Sequence, residues 1–197
     1  MTKSEQTRAL IIEQAAHLFN RKGYSGTSMQ DVLDATGLAK GGIYGHFNSK
    51  EEIAVEAFEY ASGQVLRELG ARIKAQENAR AKLTAIINYY YNFLESSPIE
   101  GGCPILNYSA HMGDVIPELQ RSILQAVNKM LLSIATIIEK GKKYKQVRAN
   151  VDPKAFADLF YSRIEGAILL AKVTGDDDKL NRLLDDLKQY IEKNIVI

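Results

Sequence analysis

At 197 residues, with 46% hydrophobic and 25% charged side chains, the chain has the make-up of an ordinary globular protein, large enough for one domain or for a small and a medium one. A formal net charge of +1 excludes polyanion binding driven by bulk charge, and a single cysteine excludes an intramolecular disulfide. The polar start MTKSEQTR is no signal peptide and the apolar runs fall short of a membrane span, so a cytoplasmic protein with no membrane partner is expected.

Sustained apolar–polar alternation is nearly absent and only four prolines interrupt long helical patterns, so the fold class expected is all-α. In chain order, a first helix carries Ile12, Ala15, Ala16 and Phe19 on one face and ends at Gly23. Thr27 and Ser28 are suited to N-capping, and Asp31, three residues after Ser28, completes a capping box. Met29, Val32 and Leu33 give this second helix a core face, Gly37 stops it, and Leu38 fills the turn. From about Ala39 to Phe47 a third helix turns Ile43 and Phe47 inward, leaving Lys40, Gly41, Gly42, Tyr44, Gly45 and His46 for other duties. Two short helices across a glycine turn are the grammar of a helix-turn-helix, which sets one helix in the major groove of DNA. Asn48 or Ser49 then caps the next helix, with Glu51 or Glu52 completing the box.

From Lys50 to about Gln76 one long helix places Ile53, Ala57, Tyr60, Ala61, Val65 and Leu69 near a helical period, a lever between two parts of the chain. Residues 80 to 95 predict another amphipathic helix, ended by Ser96, Ser97 and Pro98. SSPIEGGCPILN is the clear irregular break, followed by a short helix around Tyr108 to Met112. Pro117 opens a long helix to about Lys143 through Leu124, Val127, Leu131, Ile134 and Ile138. Its basic end, KGKKYK, complements the helix dipole. Asp152-Pro153 starts a helix with Phe156, Leu159, Phe160, Ile164, Ile168 and Ala171. GDDD caps the last one, whose apolar face is Leu180, Leu183, Leu184, Leu187 and Ile191.

G-Y-x-x-T-S-M-x-x-V, then G-L-A-K-G-G-I-Y-G-H-F, then S-K-E-E-I resembles the DNA-binding domain of TetR-family transcriptional regulators. The likeness is strong over residues 4 to 55 and rests beyond them on length, helical character and organisation. It implies a helix-turn-helix DNA-binding domain at 1–48 and a helical effector-binding and dimerisation domain at 49–197. The implied function is a ligand-responsive regulator, a repressor released from double-stranded operator DNA by a small molecule. It also implies that the last two helices form a four-helix bundle with their copies, hence a homodimer through residues 154 to 193.

On the DNA face, helix N-termini offer backbone donors to phosphate at Thr27 and Ser28, and again near Ser49 and Lys50. Simple capping would use Thr27 and Ser28 just as well. Tyr44 and His46 add side-chain donors and Lys40 a charge; packing beneath the helix and an ordinary surface histidine are the plainer roles for Tyr44 and His46. Gly41, Gly42 and Gly45 stand where the family often carries longer side chains, and glycine cannot reach a base edge. Direct readout is therefore expected from Lys40, Gln30 and Ser28, with DNA shape adding to it. Residues 1 to 50 carry six basic against four acidic side chains, so the motif and not the charge points to DNA.

On the effector side, His17, His46, His111 and Cys103 show no metal-ligand spacing, and GKKYKQ is no P-loop. No cofactor is expected. The resemblance implies a small-molecule pocket in the second domain, for which Phe93, Cys103, Asn107, Met112, Met130 and Phe160 are the candidates, with ordinary core as the plainer role. Two other functions compete: a Cys103-dependent helical enzyme, and an interaction protein that keeps the motif only as scaffold. Cys103 could also act as a redox or electrophile sensor, although no Lys or Arg lies within ten residues to lower its pKa.

Overall fold

The computed structural model describes residues 1–110 and 116–197, and among them α-helix is the only extended secondary structure. The order is α1 (Lys3–Lys22), α2 (Met29–Thr36), α3 (Lys40–Tyr44), α4 (Lys50–Lys74), α5 (Ala79–Tyr90), α6 (Phe93–Ser96), α7 (Pro104–Ala110), α8 (Pro117–Lys143), α9 (Pro153–Thr174) and α10 (Asp177–Asn194). One isolated antiparallel bridge joins Val147 to Val196. By internal contacts the chain divides into two compact units. One is Met1–Gln64 with Ser97–Ala126, and the other is Val65–Ser96 with Val127–Ile197.

In the first unit α1 buries Ile11, Ala15, Ala16 and Phe19, so Ile11 and not the half-exposed Ile12 completes its inner stripe. From α4 the same unit buries Ile53, Ala54, Ala57, Phe58 and Ala61. Each large side chain so removed from water contributes about 1.5–3 kcal/mol before chain entropy is counted. The Arg8 guanidinium lies over the Phe47 ring, 4.6 Å from its centroid, and pairs with the Glu56 carboxylate, which ties α1 to α4. Gly101 and Gly102 turn the chain with φ of 101° and 92°, and Pro104 starts α7. The short helix expected at 108–112 therefore begins four residues earlier; Met112 and His111 lie outside the described residues.

In the second unit the predicted helix at 80–95 is broken. Tyr91 is extended and Asn92 takes φ 55°, so α5 stops at Tyr90 and α6 restarts at Phe93. The break is fixed by α10: Asn92 N donates to Asn181 Oδ1 at 3.1 Å, and Asn181 Nδ2 donates to Asn92 Oδ1 at 2.8 Å. The Tyr91 hydroxyl bonds the Asp185 carboxylate, and burial with that carboxylate pushes its pKa up to about 12. Asp152 caps α9 with Pro153 at its first position, Gly175 ends it with φ 62°, and Asp176 caps α10. These starts and stops are the ones the sequence predicts. On α8 Ile134 and Ile138 are buried as expected and are joined by Met130 and Ile137, whereas Leu124, in the part of the helix that belongs to the first unit, is 60% exposed. Over 18 residues this helix is apolar and long enough by composition to cross a membrane, contrary to the expectation that no run would be, although the same would hold for the core helix of a water-soluble protein.

Candidate nucleic-acid interface

The site is built on two helix stops and one helix start. Gly23 ends α1 with φ 73°, its amide donating to Phe19 O. Ser28 then caps α2: its hydroxyl accepts from Asp31 N at 3.1 Å, and Ser28 N donates to the Asp31 carboxylate at 2.8 Å. Lys22 Nζ reaches the same carboxylate at 2.5 Å. That hydrogen bond, followed by those from Ser28, holds the Asp31 carboxyl well below the usual carboxylate range. Gly37 closes α2 in the left-handed region at φ 66°, and its amide donates to Leu33 O. Such a cap costs a β-carbon-bearing residue strain that glycine avoids.

α3 is shorter than predicted, five residues from Lys40 to Tyr44. Three glycines within and beside it weaken its intrinsic preference for helix. What holds it is tertiary: Ile43 is fully buried and Phe47 is 2% exposed, as their spacing requires. No side chain caps it, and Ala39 stands at its N-cap. Lys40 is exposed with Nζ 5.7 Å from the Tyr44 ring centroid, and Tyr44 is 46% exposed. Gly41 is a bare position, since a Cβ built there meets nothing within 4 Å; one on Gly42 meets the Leu38 side chain, with Cβ at 3.5 Å and Cδ2 at 3.9 Å. Lys40, Gly41 and Tyr44 thus form an open, weakly basic surface. Gly42 and His46 at its edge are half-buried.

The other predicted contacts divide. Thr27 is 1% exposed, and its hydroxyl donates to Gly23 O at 2.8 Å, so it braces the chain behind α2 and does not cap it. Gln30 is exposed but its amide donates to Asp34 Oδ1 at 2.7 Å. Lys50 sits with Nζ 4.0 Å from the centroid of the Tyr24 ring. The Tyr24 hydroxyl donates to Glu51 Oε1 at 2.6 Å, a bond that lowers the Glu51 pKa. Tyr24 stands in the G-Y-x-x-T-S motif, yet the sequence assigns it no role beside Lys50 and Glu51. Ser49 caps α4, Glu52 N donating to Ser49 Oγ at 3.2 Å, while the Glu52 carboxylate reaches back past the cap to accept from Asn48 N at 2.8 Å.

The predicted effector residues are buried where the structure describes them. Cys103 and Asn107 fall in the first unit, Phe93, Met130 and Phe160 in the second. Asn107 is committed to hydrogen bonds with α1 and the preceding loop. Nearby in the first unit the Tyr108 ring packs 5.1 Å from that of Phe58, and its buried hydroxyl has no hydrogen-bond partner among the described residues. Burial pushes the pKa of that hydroxyl up. Among the described residues no three His, Cys, Asp or Glu side chains gather as a metal site.

Two family models match, the first for bacterial regulatory proteins of the tetR family over residues 11–57, the second for the tetracyclin repressor-like C-terminal domain over residues 79–187. A TetR transcriptional regulator from Chloroflexus aurantiacus is 33% identical, with a TM-score of 0.95 and 100% of both chains covered. A TetR-family regulator from Cytophaga hutchinsonii is 34% identical, with a TM-score of 0.91, covering 100% of this chain and 98% of that one. The transcriptional repressor DhaR of Mycobacterium sp. strain GP1 is 24% identical over 178 residues, 90% of this chain and 88% of the relative.

Proposed function

The chain belongs to the TetR family of bacterial transcriptional regulators, and from that footing we propose that it is a homodimeric repressor released from its operator by a small molecule. It is a DNA-binding regulator of transcription through its helix-turn-helix. The repressor sense is supported by the name of its relative DhaR. We take residues 1–48 as the DNA-binding domain and 49–197 as the effector-binding and dimerisation domain, in a cytoplasmic protein.

The observation that carries this reading is the surface of α3, where exposed Lys40 and Tyr44 flank a bare Gly41 while Ile43 and Phe47 anchor the helix from behind. A short helix so anchored can enter a major groove with its backbone close to the bases, and Tyr44 and Lys50 then reach phosphates. Lys40 reads bases, with Ser28 and Gln30 able to do so once their side chains leave Asp31 and Asp34; Gly42 and His46 line the edge. Thr27 holds the scaffold. The Tyr108 hydroxyl, buried and without a partner among the described residues, supports an effector that carries a hydrogen-bond acceptor, since a buried polar group left unsatisfied costs about 1–3 kcal/mol.

Selection of binding sites from random duplex DNA, followed by mobility shifts, tests the reading. A near-palindrome with half-site centres about 34–36 Å or a multiple apart is expected. Tyr44→Phe should weaken specific and non-specific duplexes alike, whereas Lys40→Ala should also relax one base position, at about 1–3 kcal/mol. Protection with no two-fold repeat, or no duplex binding at low salt, would overturn it.

A further inference from the structure

The α8 helix carries more apolar surface than the monomer covers. Only 39% of its most apolar window is buried. Leu132 is 69% exposed, and Tyr144, just past the end of the helix, is 65% exposed. Both lie in one groove of the second unit, about 440 Å³ in volume, whose apolar lining continues through Ile73 and Ile137. Lys82, Lys129 and Lys140 stand around it against the one carboxylate of Glu77, an excess of two positive charges. None of these lysines enters a salt bridge among the described residues.

One end of the groove is tightly fixed. A Cβ at Gly141 would come within 2.5 Å of Val147 Cγ2 and 2.8 Å of Ala79 Cβ, so only glycine lets these segments approach. Gln146 locks them further, its Oε1 accepting from Ala79 N at 2.9 Å. That end of the lining is therefore preformed, and the groove's volume falls in the range of small-molecule sites, roughly 300–1,000 Å³.

We infer that this groove binds an amphipathic organic anion, a single carboxylate or sulfate on an apolar chain. The apolar lining gives a free inorganic ion nothing to bury, and the lysines disfavour a cation. Lysine is also depleted from the centres of protein interfaces, and a second copy would bring a like-charged rim. Neither the operator nor the repressor reading is needed for this site.

Calorimetric titration of the DNA-free protein with dodecanoate, and with dodecyltrimethylammonium as the cationic match, tests it. Dodecanoate should bind, more weakly as salt rises, and the cation should not. Lys129→Glu combined with Lys140→Glu should weaken dodecanoate by about tenfold, as loss of two exposed charge contacts allows, and the paired Lys→Arg variant should restore it. Leu132→Asp, at an exposed position, should weaken it likewise. On the unmodified protein, dodecanoate should shield Lys82, Lys129 and Lys140 from acetylation read by mass spectrometry, which covers the case of a variant that does not fold. Equal binding of anion and cation, undiminished binding by the charge-reversed variant, or no shielding of these lysines would overturn the assignment.

Discussion

Asn107 Nδ2 lies 3.1 Å from both the main-chain oxygen and the Oδ1 of Asn20, and 2.8 Å from Gly101 O, while Asn20 Nδ2 donates to Glu100 O and Gly102 O. Two buried amides thus stitch the last turn of α1 to the Gly101–Gly102 turn and to α7. Asn20 is 2% exposed and Asn107 is 9% exposed, so water cannot replace a lost partner cheaply.

Asn20→Asp keeps the shape but removes the donor to two buried carbonyls, and Asn107→Ala removes the other donor. Each should lower unfolding stability by about 1–3 kcal/mol, read as a shift of the urea midpoint. An unchanged midpoint in Asn20→Asp would mean that shape, and not hydrogen bonding, holds this turn.

Two glycines should respond oppositely to a methyl group. At Gly41 the added Cβ meets nothing within 4 Å, so Gly41→Ala should stabilise by up to about 1 kcal/mol through helix preference. At Gly101, φ is +101° and the Cβ would come 3.0 Å from Asn20 O, so Gly101→Ala should destabilise. Thermal melts give both signs. Operator binding adds a second readout: if Gly41→Ala is more stable but loses its operator, the bare position serves close approach to DNA.

The helix-turn-helix was legible because its stops are written locally. The Ser28–Asp31 box and the positive-φ glycines at 23 and 37 need only neighbours in sequence, and so do the Pro117 and Asp152-Pro153 starts. What was not legible depends on distant partners. The Asn92 kink is held by Asn181, 89 residues away. Thr27 has a capping residue's chemistry, but its hydroxyl turns back to Gly23 O, a choice the sequence leaves open. On α8 apolar residues occupy two faces, so periodicity alone could not tell the buried stripe from the one facing water. In the interface, Lys40 and Tyr44 were legible as exposed positions of a helix whose inward residues were known, whereas the placement of Lys50 over Tyr24 was not.

Acid should loosen α2 first through Asp31. Its folded pKa is depressed, so its contribution is fully present above the usual value of 3.8 and is lost as pH falls through the lower folded value. Asp31→Asn lacks that contribution at every pH. The gap in urea midpoint between the native protein and Asp31→Asn should therefore be widest near neutral pH and should narrow below about pH 4. A gap that stays constant into acid would mean that Asp31 acts only by its shape.

The proposed dimer has a test that spares the core. Leu169, Leu170 and Val173 on α9 are 46%, 49% and 74% exposed in the single chain, and a Cβ at Gly166 on the same helix would meet nothing within 4 Å. Leu170→Glu combined with Val173→Glu leaves both charges in water in a monomer but buries them in a dimer through this helix. Sedimentation velocity should show dissociation with helix content unchanged, the constant rising at least about tenfold from the lost apolar burial. Phe160→Glu is a poorer probe, because Phe160 is fully buried and the fold itself would fail. A double variant that stays dimeric places the interface elsewhere.

Burial of Cys103 favours its plainer role, an inert core thiol, over the sensor that the sequence also allowed. A lone thiol in a glycine-rich break suggests access to oxidants, yet its side chain is packed at 1% exposure just before α7. Burial keeps oxidants and disulfide reagents from reaching the sulfur. Native protein should thus react slowly with a disulfide reagent such as dithiobisnitrobenzoate, and the same chain in urea should react at the rate of an open thiol. Mild oxidant should release operator DNA no faster from the native protein than from Cys103→Ser. Fast reaction of the folded protein, together with release that Cys103→Ser abolishes, would instead make this cysteine the sensor and require a local opening of the 97–103 loop.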